Sequence, residues 1–163
     1  MNRFRALFVL MLAALPVPAL AQDIGLAIGA RPAPVTLEDL DGNAVDLSQY
    51  MGKKPVLLEF WATWCPLCRA LEPQLAAAQK KYGDKLEVII VAVGVNQSPR
   101  KIKRHLARHA LPGRVVWDGK GAAVRAFSAP GTSYVVLLDA KGRVIYTGAG
   151  SDQKVLPVLA KLF

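Results

Sequence analysis

Cysteine is almost absent from this chain, which carries two, Cys65 and Cys68, in 163 residues. Oxidising compartments favour dispersed structural disulfides, and nothing else here is available to pair. A permanent bridge across two intervening residues would close a very small loop and restrict the unfolded chain little, so chemistry explains the pair better than stapling does. Internal repeats and low-complexity tracts are missing as well. The apolar run over residues 6–15 falls short of the about 20 residues that span a bilayer core. Acidic residues are few beside basic ones, 12 against 21, for a formal charge of +9. That excess favours acidic partners or anionic membrane surfaces, through attraction that salt screens beyond about 10 Å at 0.1 M. Nucleic acid is not an expected partner outside the cytoplasm.

What is present at the N-terminus reads as an export signal. Arg3 and Arg5 form a basic start, the short apolar run follows, Pro16 and Pro18 break any helix, and Ala19-Leu20-Ala21 fits the small-x-small cleavage rule. Residues 1–21 are therefore expected to be a cleaved signal peptide, and two units of the positive charge leave with it. No cysteine follows the run, which excludes lipidation there. The location expected is exported, and periplasmic where the cell has an outer membrane. Residues 22–34, with Gly25, Gly29, Pro32 and Pro34, read as an arm. Residues 35–163 then have the length of one domain with its own core.

Within that domain, residues 35–40 and 44–47 flank Asp41-Gly42 as a short β-hairpin. Residues 55–60 and 86–95 are apolar runs suited to buried central strands, the first interrupted by Glu59. From Cys65 onward Leu67, Leu71, Leu75 and Ala78 recur at helical spacing until Gly83, so the cysteines fall at a helix N-terminus; Pro73 should kink that helix. Ser98-Pro99 opens a second helix to about Ala110, with Ile102, Leu106 and Ala110 inward and a basic outer surface from Arg100 to Arg108. Strands at 115–117, 134–138 and 143–147, a short helix at 122–127 and a terminal helix from Asp152 complete an α/β layered domain.

Two thiols spaced three apart at a helix start can attack and resolve in one place. Backbone N–H groups and the macrodipole there favour a thiolate at Cys65, below the free thiol pKa of about 8.5. Pro66 loses nothing by lacking an N–H in the first turn. Cys65 is thus the expected nucleophile and Cys68 the resolving thiol.

The string Glu59-Phe60-Trp61-Ala62-Thr63-Trp64-Cys65-Pro66-Leu67-Cys68-Arg69 resembles the active-site strand and helix of thioredoxins, and is most similar to the exported TlpA/ResA-like branch. Asp41-Gly42, Gly52-Lys53, Asp139-Ala140-Lys141-Gly142 and Val144-Ile145-Tyr146 extend the likeness from about Ala33 to the C-terminus. It implies a thioredoxin fold, a central mixed sheet flanked by helices, with an N-terminal β-hairpin extension. It further implies a thiol:disulfide oxidoreductase whose redox-active Cys65–Cys68 disulfide needs no other cofactor. Its substrates would be protein dithiols and disulfides, including cytochrome c apoproteins or copper-handling proteins. A reductase fed by a membrane thiol partner is the direction implied, and a monomer is expected.

Thioredoxins bury an acid six residues before the first cysteine, and Glu59 holds that place as general acid/base; burial would raise its pKa toward neutrality. The alternative is an edge-strand Glu59 turned to solvent. Trp64, Pro66, Thr132 and Ser133 are the residues implied to line the substrate groove, while Trp61 packs inside. One departure stands out: where the family carries Gly-Thr-Pro, this chain has Gly131-Thr132-Ser133, with Pro130 three residues earlier. Either Pro130 fills the role through a longer loop or Ser133 replaces it; a non-proline cis bond costs about 2.5–4 kcal/mol, which favours a trans Ser133. The rival function is a soft-metal module in which the same cysteines hold Cu(I) or Zn. His105 and His109 are its obvious third ligands, set among lysines and arginines that oppose a cation, and no metal is expected. The basic helix itself reads as a solvated face.

Overall fold

The two apolar runs become the centre of a seven-stranded mixed sheet in the computed structural model, which describes residues 25–163. The expected signal peptide and the first residues of the arm lie outside the described residues. In chain order the elements are β1 (Thr36–Glu38), β2 (Ala44–Asp46), a 3-10 turn (Leu47–Tyr50), β3 (Val56–Trp61), α1 (Pro66–Tyr82) and β4 (Glu87–Val93). They continue with α2 (Pro99–Leu106), β5 (Arg114–Asp118), α3 (Ala122–Ala126), β6 (Tyr134–Leu138), β7 (Val144–Ala149) and α4 (Val155–Ala160). The strand order is β2-β1-β5-β4-β3-β6-β7. No helix among the described residues is long and apolar enough to cross a membrane.

Every residue of β3 is buried. It runs parallel to β4 and antiparallel to β6, with Glu59 level with Ile90 on one side and Val135 on the other. Strands covered on both faces read as unbroken apolar sequence, which is why β3 and β4 were visible as runs rather than as alternation. The central position of β3 removes the edge-strand alternative for Glu59.

The hairpin forms as expected and joins the far edge through Glu38 opposite Trp117. Its turn is fixed by Asp39, whose carboxylate accepts the N–H groups of Asp41 and Asn43 at 2.8 and 2.9 Å. At the opposite edge the arm docks on β7: Gly29 donates its N–H to the Val144 carbonyl at 2.7 Å, and Val144 donates back to Ala30 at 2.9 Å. This covers hydrogen-bonding groups that an edge strand would otherwise expose. Gly25 lets the arm approach, because a Cβ there would fall 1.7 Å from the Tyr134 hydroxyl oxygen and its φ is +89°.

Helix α1 runs without interruption through Pro73. Helix α2 is shorter than the expected 99–110, ending at Leu106. The His105 carbonyl accepts both the Arg108 and the His109 N–H, which tightens the last turn, and Pro112-Gly113 follow. The core fills both faces of the sheet, with Trp61, Tyr134, Phe60 and Phe127 its largest fully buried side chains.

Candidate active site

The site lies where the parallel strands β3 and β4 end, the usual place for function in an open α/β sheet. After Trp61 the chain turns through 62–64 and enters α1 with Cys65 as N-cap and Pro66 in the first turn. Cys65 and Cys68 are joined as a disulfide, with Cα atoms 5.4 Å apart. The Cys65 sulfur accepts the Cys68 N–H at 3.0 Å, so an orphan donor of the helix start is aimed at it. No acidic residue occupies the first turn to oppose negative charge there. Cys65 keeps 6% of its surface exposed and Cys68 none, the asymmetry that attack followed by internal resolution requires. Pro66 and Leu67 are exposed beside them.

Gln97 fixes the approach to the cysteines. Its side-chain oxygen accepts the Thr63 N–H at 3.0 Å, and its amide nitrogen donates to Val93 at 2.6 Å and to Trp61 at 3.5 Å. One side chain thereby ties the ends of β3 and β4 to the turn that carries the nucleophile. Trp64 is 44% exposed, yet its indole N–H donates to the Val95 carbonyl at 2.8 Å. Its ring is therefore held in place and presented to solvent next to Cys65. Trp61 is buried, as expected.

Glu59 is 1% exposed, and neither carboxyl oxygen finds a hydrogen-bond partner among the described residues. Burial pushes its pKa up from 4.5 to about 8, and the charge of Glu72 on α1 adds to the shift. Glu72 is raised by its own burial, against the lowering pull of Arg69 and His109. A carboxyl so placed is protonated at neutral pH and poised to exchange its proton near that pH. It precedes Phe60, whose carbonyl oxygen is 3.9 Å from the Cys68 sulfur.

Ser133 takes the place before β6 with a φ of +58°, fully buried, and no cis peptide bond occurs among the described residues. Its N–H donates to Phe60 at 2.7 Å, its hydroxyl to the Gly150 carbonyl at 3.1 Å, and its own carbonyl accepts from Gly150 and from the Gln153 amide. All its polar groups are thus turned inward, whereas Thr132 is half-buried and Pro130 is exposed. Ser133 replaces the expected proline, and Pro130 stands outside.

His105 is half-buried against Trp61, ring centres 5.3 Å apart, and not on a freely solvated face. Burial lowers its pKa, with further lowering from His109, Arg69 and Arg108. The His109 ring lies 5.1 Å from that of His105. Among the described residues no three or more His, Cys, Asp or Glu side chains gather in a way that could hold a metal ion.

Gln97 and Gln153 escaped the sequence reading, because glutamine carries no spacing signal; a polar residue just beyond an apolar strand, as Gln97 is beyond β4, was the available hint.

The family model described as Redoxin matches residues 19–162. The chain is 35% identical over 124 residues to the thioredoxin-like protein YneN of Bacillus subtilis, covering 74% of this chain and 71% of that one. It is 30% identical over 131 residues to the thiol-disulfide oxidoreductase ResA of Halalkalibacterium halodurans, covering 78% and 72%. The exposed lipoprotein thioredoxin of Streptococcus pneumoniae superposes with a TM-score of 0.67 at 28% identity, over 80% of this chain and all of that one. The thioredoxin domain of a Bacteroides vulgatus thiol-disulfide oxidoreductase superposes at 0.71 with 22% identity, over 85% and 99%, and shows the shared fold. The chain therefore belongs to the redoxin family, and it is a thiol:disulfide oxidoreductase of thioredoxin fold in the TlpA/ResA-like branch.

Proposed function

We propose that this oxidoreductase works as a reductase of disulfides in exported proteins. The observation that carries the exchange chemistry is Glu59, a buried, protonatable carboxyl one residue from the carbonyl that borders Cys68, and resemblance to the TlpA/ResA branch supports the reducing direction. In the reduced protein, the Cys65 thiolate attacks one sulfur of the substrate disulfide, the substrate S–S bond breaks, and the other substrate sulfur leaves as thiolate. Cys68 then gives its proton to Glu59 in the minor fraction of molecules whose Glu59 is ionised at neutral pH, and attacks the Cys65 sulfur. The mixed disulfide breaks, the second substrate thiolate leaves, and the electron pair has passed from the Cys65/Cys68 dithiol to the substrate. Trp64, Pro66 and Thr132 line the groove that receives the substrate chain, while Ser133 holds the shape of that groove from inside. A membrane thiol partner would return the dithiol, and the disulfide itself is the sole redox group the cycle needs. Resemblance to the TlpA/ResA branch supports cytochrome c apoproteins and copper-handling proteins as substrates, and the expected signal peptide over residues 1–21 supports export.

The test is the equilibrium potential of the Cys65/Cys68 couple against glutathione, followed by tryptophan fluorescence, together with reduction of a protein disulfide by the dithiol form. A value toward the reducing end of the about −270 to −120 mV range, with turnover of the substrate, supports the reading. A strongly oxidising value with no reduction sinks it.

A further inference from the structure

Beside the exposed ring of Trp64 the surface falls into a groove of about 590 Å³, lined by Thr63, Trp64, Lys101, Arg104, His105 and Arg108. One wall is the turn that carries the nucleophile; the other is the basic side of α2. Lys101 and Arg104 stand three residues apart on one face of α2, and Arg108 reaches the same groove from the turn just beyond the helix. The cations are not equivalent. Lys103 is taken up by an ion pair with Asp41, and Lys101 donates to the Asn96 carbonyl at 3.0 Å. Arg104 and Arg108 are exposed, and neither forms an ion pair among the described residues. No acidic residue lines the groove. The helix buries only Ile102 fully, so packing does not explain the four exposed lysines and arginines on its outer side.

We infer that this groove is a docking site for an acidic segment of the protein substrate, lying within a few residues of the cysteine that Cys65 attacks. The inference rests on the oxidoreductase reading and names what that site selects. A chain whose sulfur has reached Cys65 must pass the Trp64 ring, and its neighbouring side chains then fall between Trp64 and α2. Carboxylates there meet the two unpaired guanidiniums, which bind carboxylates with two parallel hydrogen bonds. A bilayer surface would meet the outermost cations of α2 but would not enter a groove walled by Trp64, so a peptide fits the shape better than lipid head groups do.

The experiment uses reduced protein and two synthetic peptides, each closed by one disulfide. They differ in that three Asp or Glu residues beside the cysteine in one are Asn or Gln in the other. Stopped-flow rates are read at low and high salt, with the uncharged bis(2-hydroxyethyl) disulfide as the control. The acidic peptide is expected to react about tenfold faster at low salt, with the ratio collapsing at high salt, as steered association does. In the double variant Arg104→Gln, Arg108→Gln the acidic-to-neutral ratio is expected to fall to about one, and in Arg104→Glu, Arg108→Glu it is expected to invert. Equal rates for the two peptides in the wild type, or a preference that survives both variants, overturns the inference. So does a ratio of one combined with binding to phosphatidylglycerol vesicles that the variants abolish, which would make the patch a membrane surface. If Cys65 reacts with neither the peptides nor bis(2-hydroxyethyl) disulfide, the oxidoreductase reading itself falls.

Discussion

Ser133 donates its backbone N–H to the Phe60 carbonyl at 2.7 Å, and the sulfur of Cys68 lies 3.9 Å from the same oxygen. One carbonyl near the end of β3 thus braces the loop before β6 and borders the buried half of the redox pair. The loop residue that reaches it does so with a positive φ, a conformation costing a non-glycine residue roughly 1–2 kcal/mol. Three further hydrogen bonds hold Ser133 there.

Restoring proline at this position is therefore expected to harm the protein. Proline fixes φ near −65° and has no N–H, so Ser133→Pro loses the Phe60 bond and cannot adopt φ +58° without rebuilding the loop, at an expected cost of about 3 kcal/mol or more. Ser133→Gly relieves the backbone and loses one hydroxyl bond, and should stay within about 1 kcal/mol of wild type. Urea denaturation of both variants checks this. A Ser133→Pro protein as stable as wild type would mean that the loop readily takes another course.

The two thiols should separate cleanly by variant. Cys68→Ser leaves Cys65 able to attack and removes the resolving sulfur, so incubation with a substrate disulfide should leave one covalent adduct per chain by non-reducing mass spectrometry. Cys65→Ser should give none, since Cys68 has no exposed surface. An adduct on Cys68 in the Cys65→Ser protein would reverse the assignment.

The sheet was legible because its central strands are covered on both faces and hence continuously apolar, and the hairpin because Asp41-Gly42 interrupts an alternating pattern. The cysteine pair was legible from spacing and from Pro66 and the apolar helical repeat behind it. The end of α2 was not, since Ala107 to Ala110 are compatible with helix and the last turn tightens where the His105 carbonyl accepts the Arg108 N–H as well as that of His109. Ser133 was readable as a departure, yet its left-handed backbone depends on partners, Phe60 and Gly150, that lie far away in sequence. His105 looked solvated because neither its own helix nor any spacing points to Trp61, which the sheet brings beneath it.

Gln97 is expected to matter more than its type suggests. Gln97→Ala removes the bonds to Thr63, Val93 and Trp61, and leaving these backbone groups without partners should cost about 1–3 kcal/mol. The local signature is faster hydrogen exchange at the Thr63 amide, with a shift in the emission of Trp64, one residue away. Unchanged protection at Thr63 would show that the turn is held by other contacts.

Glu59 makes the sharpest pH prediction. Its carboxyl has a pKa of about 8 in the fold against 4.5 when free, so between these values the folded protein holds a proton that the unfolded chain has released. Folding stability therefore falls as pH rises from about 4.5, and the loss levels off above about 8. Glu59→Gln cannot titrate and escapes the penalty, so its stability advantage over wild type should grow by about 3 kcal/mol between roughly pH 5 and pH 7.5. Urea midpoints of the two proteins across that range measure it directly. The same variant should slow release of the mixed disulfide by about 10²- to 10⁴-fold, the usual span for a lost general base, and should flatten the inflection of that step near pH 8. A variant that gains the stability but keeps the wild-type rate and its inflection would leave Glu59 a buried charge without a part in proton transfer, and the base that serves Cys68 would have to be sought among the solvent-facing groups.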